Sequence, residues 1–195
     1  MKNLKPNIIL IGGGGHCVSV IDIIENENKF KIKGILELNS RKKSVLNYPV
    51  LGNDELIPKL VDDNTFFLIT VGQIKSSLIR KKISEKLEKN NAKKAIVVSP
   101  LAYVSKHANI EKGSIIMNGA IINANSKIGK NCIINTNANI EHDVIIGDFC
   151  HISTSAVVNG NSTVKNGSFI GSNSTISNSI IIKENSIIGA GKFIK

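Results

Sequence analysis

The sequence predicts a two-part chain: an α/β Rossmann-like domain followed by a parallel β-helix. Three observations carry this. From Val104 to Ile194 every sixth residue is Ile or Val, sixteen positions without a break. Ahead of that repeat, short apolar runs alternate with a glycine-rich bend and an amphipathic segment. Aromatic residues make up only 4% of a chain that is 42% hydrophobic, and Trp is absent. The core must therefore rest on Ile, Val and Leu, which suits regular strand stacking.

Residues 7–11, Asn-Ile-Ile-Leu-Ile, read as a buried strand that runs into Gly12, Gly13, Gly14, Gly15 and His16. Val18, Ile21 and Ile24 then recur at helical spacing. Residues 31–37 read as a second strand, and residues 66–71 as a third that ends at Gly72-Gln73. Residues 76–90 form an amphipathic helix, with Leu78, Ile79, Ile83 and Leu87 on one face and Ser as its cap. Residues 95–98 give a last strand before Pro100. The expected domains are residues 1–98 and 99–195. The glycine bend does not satisfy G-x-G-x-x-G, because the sixth position is Cys17 counted from Gly12 and Val18 counted from Gly13. A dinucleotide-binding domain also needs more chain than this one has. Bare amides at a helix N-terminus still attract phosphate, and Glu37 at the end of the second strand can accept bonds from a ribose or base. A tight strand-to-helix turn with no ligand is the alternative.

In the second half, small residues sit two positions before most of the aliphatic ones, as at Ala120, Ser126, Cys132 and Ala138; Val144, Ile180 and Lys192 depart from this. Period six is neither the 3.6 of a helix nor the 2 of one long strand. It fits short strands joined by tight bends, each pointing one β-branched side chain inward. Gly and Asn take the bend conformations that other residues resist. Stacked coils then bury a continuous aliphatic column.

The formal net charge is +10, yet the lysines are scattered, aromatics for base stacking are few, and no basic cluster exceeds Arg41-Lys42-Lys43. These features point away from nucleic acid and leave anionic small molecules as partners. Three cysteines without C-x-x-C spacing fit a reducing, cytoplasmic setting. No apolar stretch approaches a membrane span.

His142 follows the inward Ile140 by two positions, so it should face outward, with Asp143 beside it. A neighbouring carboxylate fixes an imidazole tautomer and raises its basicity, as a general base requires. His151 precedes the inward Ile152 and is also expected on the outside, half a coil away from His142.

Residues 135–153, NTNANIEHDVIIGDFCHIS, together with Gly12-Gly13-Gly14-Gly15-His16, the VGQIKS loop at residues 71–76 and SPLAYVS at residues 99–105, resemble the bacterial hexapeptide-repeat sugar acetyltransferases. That family includes sialic acid O-acetyltransferases and nucleotide-linked 4-amino-sugar N-acetyltransferases. The resemblance implies a left-handed β-helix with three hexads per coil, so that residues 18 apart stack and Cys132 lies under Cys150 as a packed free thiol. It implies an acetyl-CoA-dependent N-acetyltransferase acting on a nucleotide-linked amino sugar. His142 would be the catalytic base, supported by Asp143; His151 would lie near the acetyl carbonyl as an oxyanion donor, and Asn135 would match an active-site Asn. Gly13, Gly14, Gly15, His16, Glu37, Gly72 and Gln73 would hold the nucleotide sugar. Acetyl-CoA would lie between neighbouring subunits of a homotrimer, and no metal is expected. An O-acetyltransferase of a sialic-acid-like sugar and a non-catalytic sugar-nucleotide-binding β-helix are the alternatives. Two departures stand out. Glu37 is followed by Leu38 where the family shows a second acid, and the sequence stops at Lys195 without the GxPAK-like segment.

Overall fold

The computed structural model describes residues 5–38 and 43–195. Arg41 and Lys42, named above for their charge, and residues 1–4 of the expected first domain lie outside the described residues. The chain forms two compact units, one of Met1–Gly72 with Ile79–Ala95, the other of Gln73–Leu78 with Ile96–Lys195.

The first unit is an α/β sheet structure. Strands β1 (Asn7–Ile11), β2 (Lys31–Leu36), β3 (Ser44–Val45), β4 (Tyr48–Gly52), β5 (Thr65–Ile69) and β6 (Lys93–Lys94) lie in the order β3-β4-β2-β1-β5-β6. All pairs are parallel except the β3–β4 hairpin. Helix α1 (Gly15–Glu27) follows β1, the short α2 (Ile57–Leu60) precedes β5, and α3 (Leu78–Lys89) follows it. Strands β1, β2 and β5 are nearly continuous aliphatic runs because a parallel sheet is covered on both faces. The hairpin, α2 and β6 carry no strong periodicity and were not expected. The faces of the helices also differ from the spacing argument. Val18 is exposed while Cys17 and Val20 join Ile21 and Ile24 in the core. On α3, Leu78 and Ile79 are exposed, and Arg80 is buried in their place. Its Nη1 donates to the carbonyls of Ile69 (3.0 Å) and Val71 (2.6 Å), capping the end of β5. Ser76 Oγ accepts from the Leu78 N–H at 3.2 Å, in the capping role expected of it.

The second unit is the β-helix. Seventeen two-residue strands, β7 (Val97–Val98) to β23 (Phe193–Ile194), stack into three parallel sheets of six, six and five. Partners are 18 residues apart, as in Ile133↔His151, so each coil holds three hexads. In each strand the second residue points inward; Ile128, Ile140 and Ile152 are buried to within 1%. Val97–Val98 was expected to close the first domain, but it pairs with Ile115–Ile116 as the first rung. Val98 is in phase with the repeat, six before Val104.

Every sixth residue from Gly113 to Gly191 has positive φ, fourteen corners in succession. Gly, Asn, Ser and Asp143 fill thirteen of them, the residues that tolerate a left-handed backbone; Phe149 at φ 55 fills the other. The small inward residues do more than fit. Ser114, Ser162, Ser168 and Ser174 each donate Oγ–H to the carbonyl 15 residues on and accept the N–H 18 residues on. Cys132 and Cys150 repeat the first of these contacts, to Gly147 (3.0 Å) and Lys165 (3.2 Å), and remain buried free thiols. Burial pushes the third thiol, Cys17, up from its ordinary range.

Candidate active site

Asn139–Ile140 (β14) and Ile145–Ile146 (β15) bracket the bend that carries His142 and Asp143. The bend turns because Asp143 adopts φ 61, and this conformation folds the carboxylate back onto its neighbour. His142 Nδ1 lies 2.8 Å from Asp143 Oδ2. A carboxylate accepts, so Nδ1 carries the proton and Nε2 is the free lone pair of the neutral ring. The other carboxylate oxygen accepts from Asn125 Nδ2 at 2.5 Å, one coil away. The Asn125 amide, followed by the imidazole, holds the Asp143 carboxyl below the usual carboxylate range. The His142 side chain is 62% exposed, as expected of an outward bend. Gly160, stacked 18 residues on, lies against the ring. A Cβ at Gly160 would stand 2.8 Å from both Cε1 and Nε2.

A second cluster sits on a different sheet, in and beside β16 (His151–Ile152) and β13 (Ile133–Ile134). Here the sequence expectation fails. His151 is expected to face outward, but it is only 7% exposed. Segment 73–78 covers it: Nδ1 donates to the Gln73 carbonyl at 2.5 Å, and the Phe169 ring meets it edge-on at 5.2 Å. Its Nε2 is 3.0 Å from Asn135 Nδ2. Asn135 Oδ1 accepts from the Thr136 N–H at 2.8 Å, so the amide NH2 is the end that faces the imidazole. His151 Nε2 therefore accepts from the amide, and Nδ1 donates to the Gln73 carbonyl. Asn135, half-buried, is the polar group this cluster presents outward.

Gln73 is likewise expected to contact substrate, yet its side chain is 3% exposed. Nε2 donates to the Phe149 carbonyl at 2.7 Å, and the backbone carbonyl holds His151. Gln73 thus clamps both the strained corner at Phe149 and the buried imidazole.

In the α/β unit, Gly12 takes φ +106 where β1 approaches β5, and a Cβ there would stand 2.5 Å from Val71 Cγ2. The Gly13 N–H donates to Glu37 Oε2, so one amide of the loop and one oxygen of the acid satisfy each other. Gly14 and Gly15 face open space at the start of α1, and His16 is half-buried in its first turn. Gly72 is exposed and faces the His16 Cβ, at 3.9 Å from where its own Cβ would stand. A cavity of about 560 Å³ opens at the carboxyl ends of β1, β2 and β5, lined by Gly12, Leu36, Glu37, Leu38, Lys82 and Lys86 among others. This is the crevice where open α/β sheets take ligands. Lys86 is held by Glu55 (2.6 Å) and Asp54 (3.4 Å).

The structure therefore gathers His142 with Asp143, and separately His151 with Asn135 and Gln73. Two residues of these clusters were missed in the sequence, Asn125 and Gly160, and Gln73 was named for a different role. The first two carry a signal, an offset of 18 from Asp143 and from His142. Among the described residues no group of His, Cys, Asp and Glu could hold a metal ion, and no helix is long and apolar enough to cross a membrane.

Residues 7–87 match the model of the PglD N-terminal domain, and residues 125–160 match that of the bacterial transferase hexapeptide, six repeats. Among curated proteins none matches the chain. Among solved structures, the acetyltransferase domain of PglB from Neisseria gonorrhoeae in complex with acetyl coenzyme A is 28% identical, with TM-score 0.88 over 98% of this chain and 93% of that one. A histidine-to-asparagine mutant of perosamine N-acetyltransferase from Caulobacter crescentus, bound to CoA and GDP-perosamine, is 23% identical, with TM-score 0.69 over 96% and 92%. WeeI from Acinetobacter baumannii is 22% identical, with TM-score 0.75 over 96% and 95%. In its PglD-type N-terminal domain and its bacterial hexapeptide repeats, joined in one chain, it is thus similar to the bacterial sugar acetyltransferases.

Proposed function

We propose that this chain is an acetyl-CoA-dependent N-acetyltransferase that acts on the amino group of a nucleotide-linked amino sugar. The observation that carries this reading is the exposed His142 side chain, with Nδ1–H held by Asp143 and Nε2 left as the lone pair. Nε2 takes the proton as the sugar amine forms its bond to the thioester carbonyl; the carbon–sulfur bond then breaks and CoA leaves as the thiolate. A neutral imidazole suits this near pH 7. The cavity at the ends of β1, β2 and β5, with the exposed Gly14 and Gly15 beside it, offers an apolar slot for the nucleoside and amides for phosphate. The solved relatives bound to acetyl coenzyme A and to GDP-perosamine support both co-substrates.

A homotrimer belongs to the same reading. His142 lies on one bend and Asn135 on another sheet edge, so a neighbouring subunit must bring the second to the first. Outward apolar side chains support such packing: Tyr103, Ile121, Ile145, Ile181 and Phe193 are all exposed.

The test is acetyl transfer to UDP- and GDP-linked 4-amino sugars, with a sialic-acid-type hydroxyl acceptor in parallel, scored by thiol release and product mass. Wild-type enzyme should acetylate an amino sugar, and His142→Asn should lower turnover by a factor on the order of 10² or more with folding intact. Transfer to the hydroxyl acceptor alone would defeat the N-acetyl reading.

A further inference from the structure

The base and its acid are both on the outside of the coil, with the His142 side chain 62% and the Asp143 side chain 46% exposed. An exposed pair of this kind gains little order from its own attraction, because solvent screens it and side-chain entropy opposes it. Something else must keep the carboxylate turned toward Nδ1. The three-hexad coil supplies it. Asn125 and Asp143 occupy equivalent corners 18 residues apart, at φ 62 and 61, so their side chains leave the backbone in the same direction. Asn125 Nδ2 meets Asp143 Oδ1 at 2.5 Å, while Asp143 Oδ2 meets His142 Nδ1 at 2.8 Å. The carboxylate is thus held at both oxygens, one by the coil beneath and one by the base. The ring itself lies against Gly160. The same column continues with Asn161 Nδ2 donating to Ser179 Oγ at 3.1 Å, so a corner side chain that reaches one coil on is a device this fold uses twice.

We propose that Asn125 is a positioning residue for the general base, fixing the Asp143 carboxylate and, through it, the Nδ1–H tautomer and orientation of His142. Without the amide, Asp143 rotates into solvent and His142 relaxes toward the Nε2–H tautomer, which has no lone pair to offer the substrate. The other acid of the bend, Glu141, accepts from Asn139 Nδ2 at 3.0 Å. It leaves Asp143 as the carboxylate that holds the ring. This inference rests on the acetyltransferase reading for its kinetics but not for its spectroscopy.

Two substitutions test it. Asn125→Gly removes the side chain without straining a left-handed corner. Asn125→Asp keeps the shape and removes the donor. Both should lower kcat roughly tenfold while the KM values for acetyl-CoA and the nucleotide sugar stay within about twofold, because nothing in the binding sites changes. Asn173→Gly, at another left-handed corner with φ 56, should leave kcat alone. In enzyme labelled with 15N-histidine, with His142→Asn identifying the signals, His142 should show the Nδ1–H tautomer in wild type and lose it in Asn125→Gly. An unchanged kcat in either Asn125 variant, or an Nδ1–H tautomer that persists in Asn125→Gly, overturns the proposal. Wild-type enzyme that acetylates no sugar would instead defeat the functional reading, with the imidazole signals still deciding the role of Asn125.

Discussion

At the scale of single residues, the acid beside His142 invites a pH argument. The carboxyl of Asp143 is held below its ordinary value, first by Asn125 and then by His142. A lowered pKa means that the ionised form is favoured in the fold and is lost only as pH falls through that lowered value. Asp143 is therefore ionised across the whole neutral range, and its effect on His142 is constant there. Asp143→Asn, which presents an amide to Nδ1 in place of an obligate acceptor, should lower kcat tenfold to a hundredfold, an order-of-magnitude expectation. Steady-state kcat of the variant against wild type at neutral pH measures the effect, and an unchanged kcat would remove Asp143 from the mechanism. Gly160 gives a second prediction. Its Cβ would land 2.8 Å from two ring atoms, and an ångström of misplacement costs a base about 10² in rate. Gly160→Ala should lose activity on that order with an unchanged melting temperature, since the ring it displaces is exposed. Of this site, His142 and Asp143 were legible because they are adjacent in the chain. Gly160 and Asn125 became legible only with 18 residues per coil, since stacking makes them neighbours. The burial of His151 was not legible: the segment that covers it comes from residues 73–78, and no local pattern encodes that contact.

At the scale of elements, the β-helix was readable because each rung repeats one local instruction. An inward β-branched residue, a small residue and a left-handed corner recur every six positions, and the register follows without long-range information. The small residue turned out to be partly chemical. Ser168 donates to the Lys183 carbonyl at 2.9 Å and accepts from the Ser186 N–H at 3.2 Å. Ser168→Ala keeps the size but strands the Ser186 N–H, while the Lys183 carbonyl keeps Ser186 Oγ as a donor; the loss should cost about 1–3 kcal/mol. Ser168→Cys, repeating the arrangement at Cys150, should recover part of that loss. Denaturant unfolding of the two variants measures the difference, and equal stability would assign the position to size alone. The α/β unit was less readable for a physical reason. Arg80 stands at an apolar position of α3 and is buried because two strand-end carbonyls await it, a demand set by β5 and not by the helix. Phe149 is the corresponding surprise in the β-helix, a bulky side chain at a corner that costs about 1–2 kcal/mol. The Gln73 amide on its carbonyl is the visible compensation.

At the scale of the molecule, the separation of the two polar clusters makes a quantitative prediction about assembly. If each reaction site takes His142 from one subunit and Asn135 from the next, a subunit defective in one residue still carries the other intact. His142→Asn and Asn135→Ala homotrimers should each be nearly inactive. After dissociation and reassembly as an equal mixture, a site works only where an Asn135→Ala chain supplies His142 and its neighbour in the ring, a His142→Asn chain, supplies Asn135. Random assembly around a closed, head-to-tail ring produces that ordered pair in about one quarter of sites. The mixture should therefore regain about a quarter of wild-type turnover per site, with KM values of the wild-type enzyme. The recovery should require reassembly, so mixing the two variants without prior dissociation should restore nothing at first. A mixture that stays inactive after verified subunit exchange would place both residues in sites built within one chain, whereas an active Asn135→Ala enzyme would remove Asn135 from catalysis. Sedimentation separates these outcomes from a failure to assemble, because the exchange is informative only for particles of three chains.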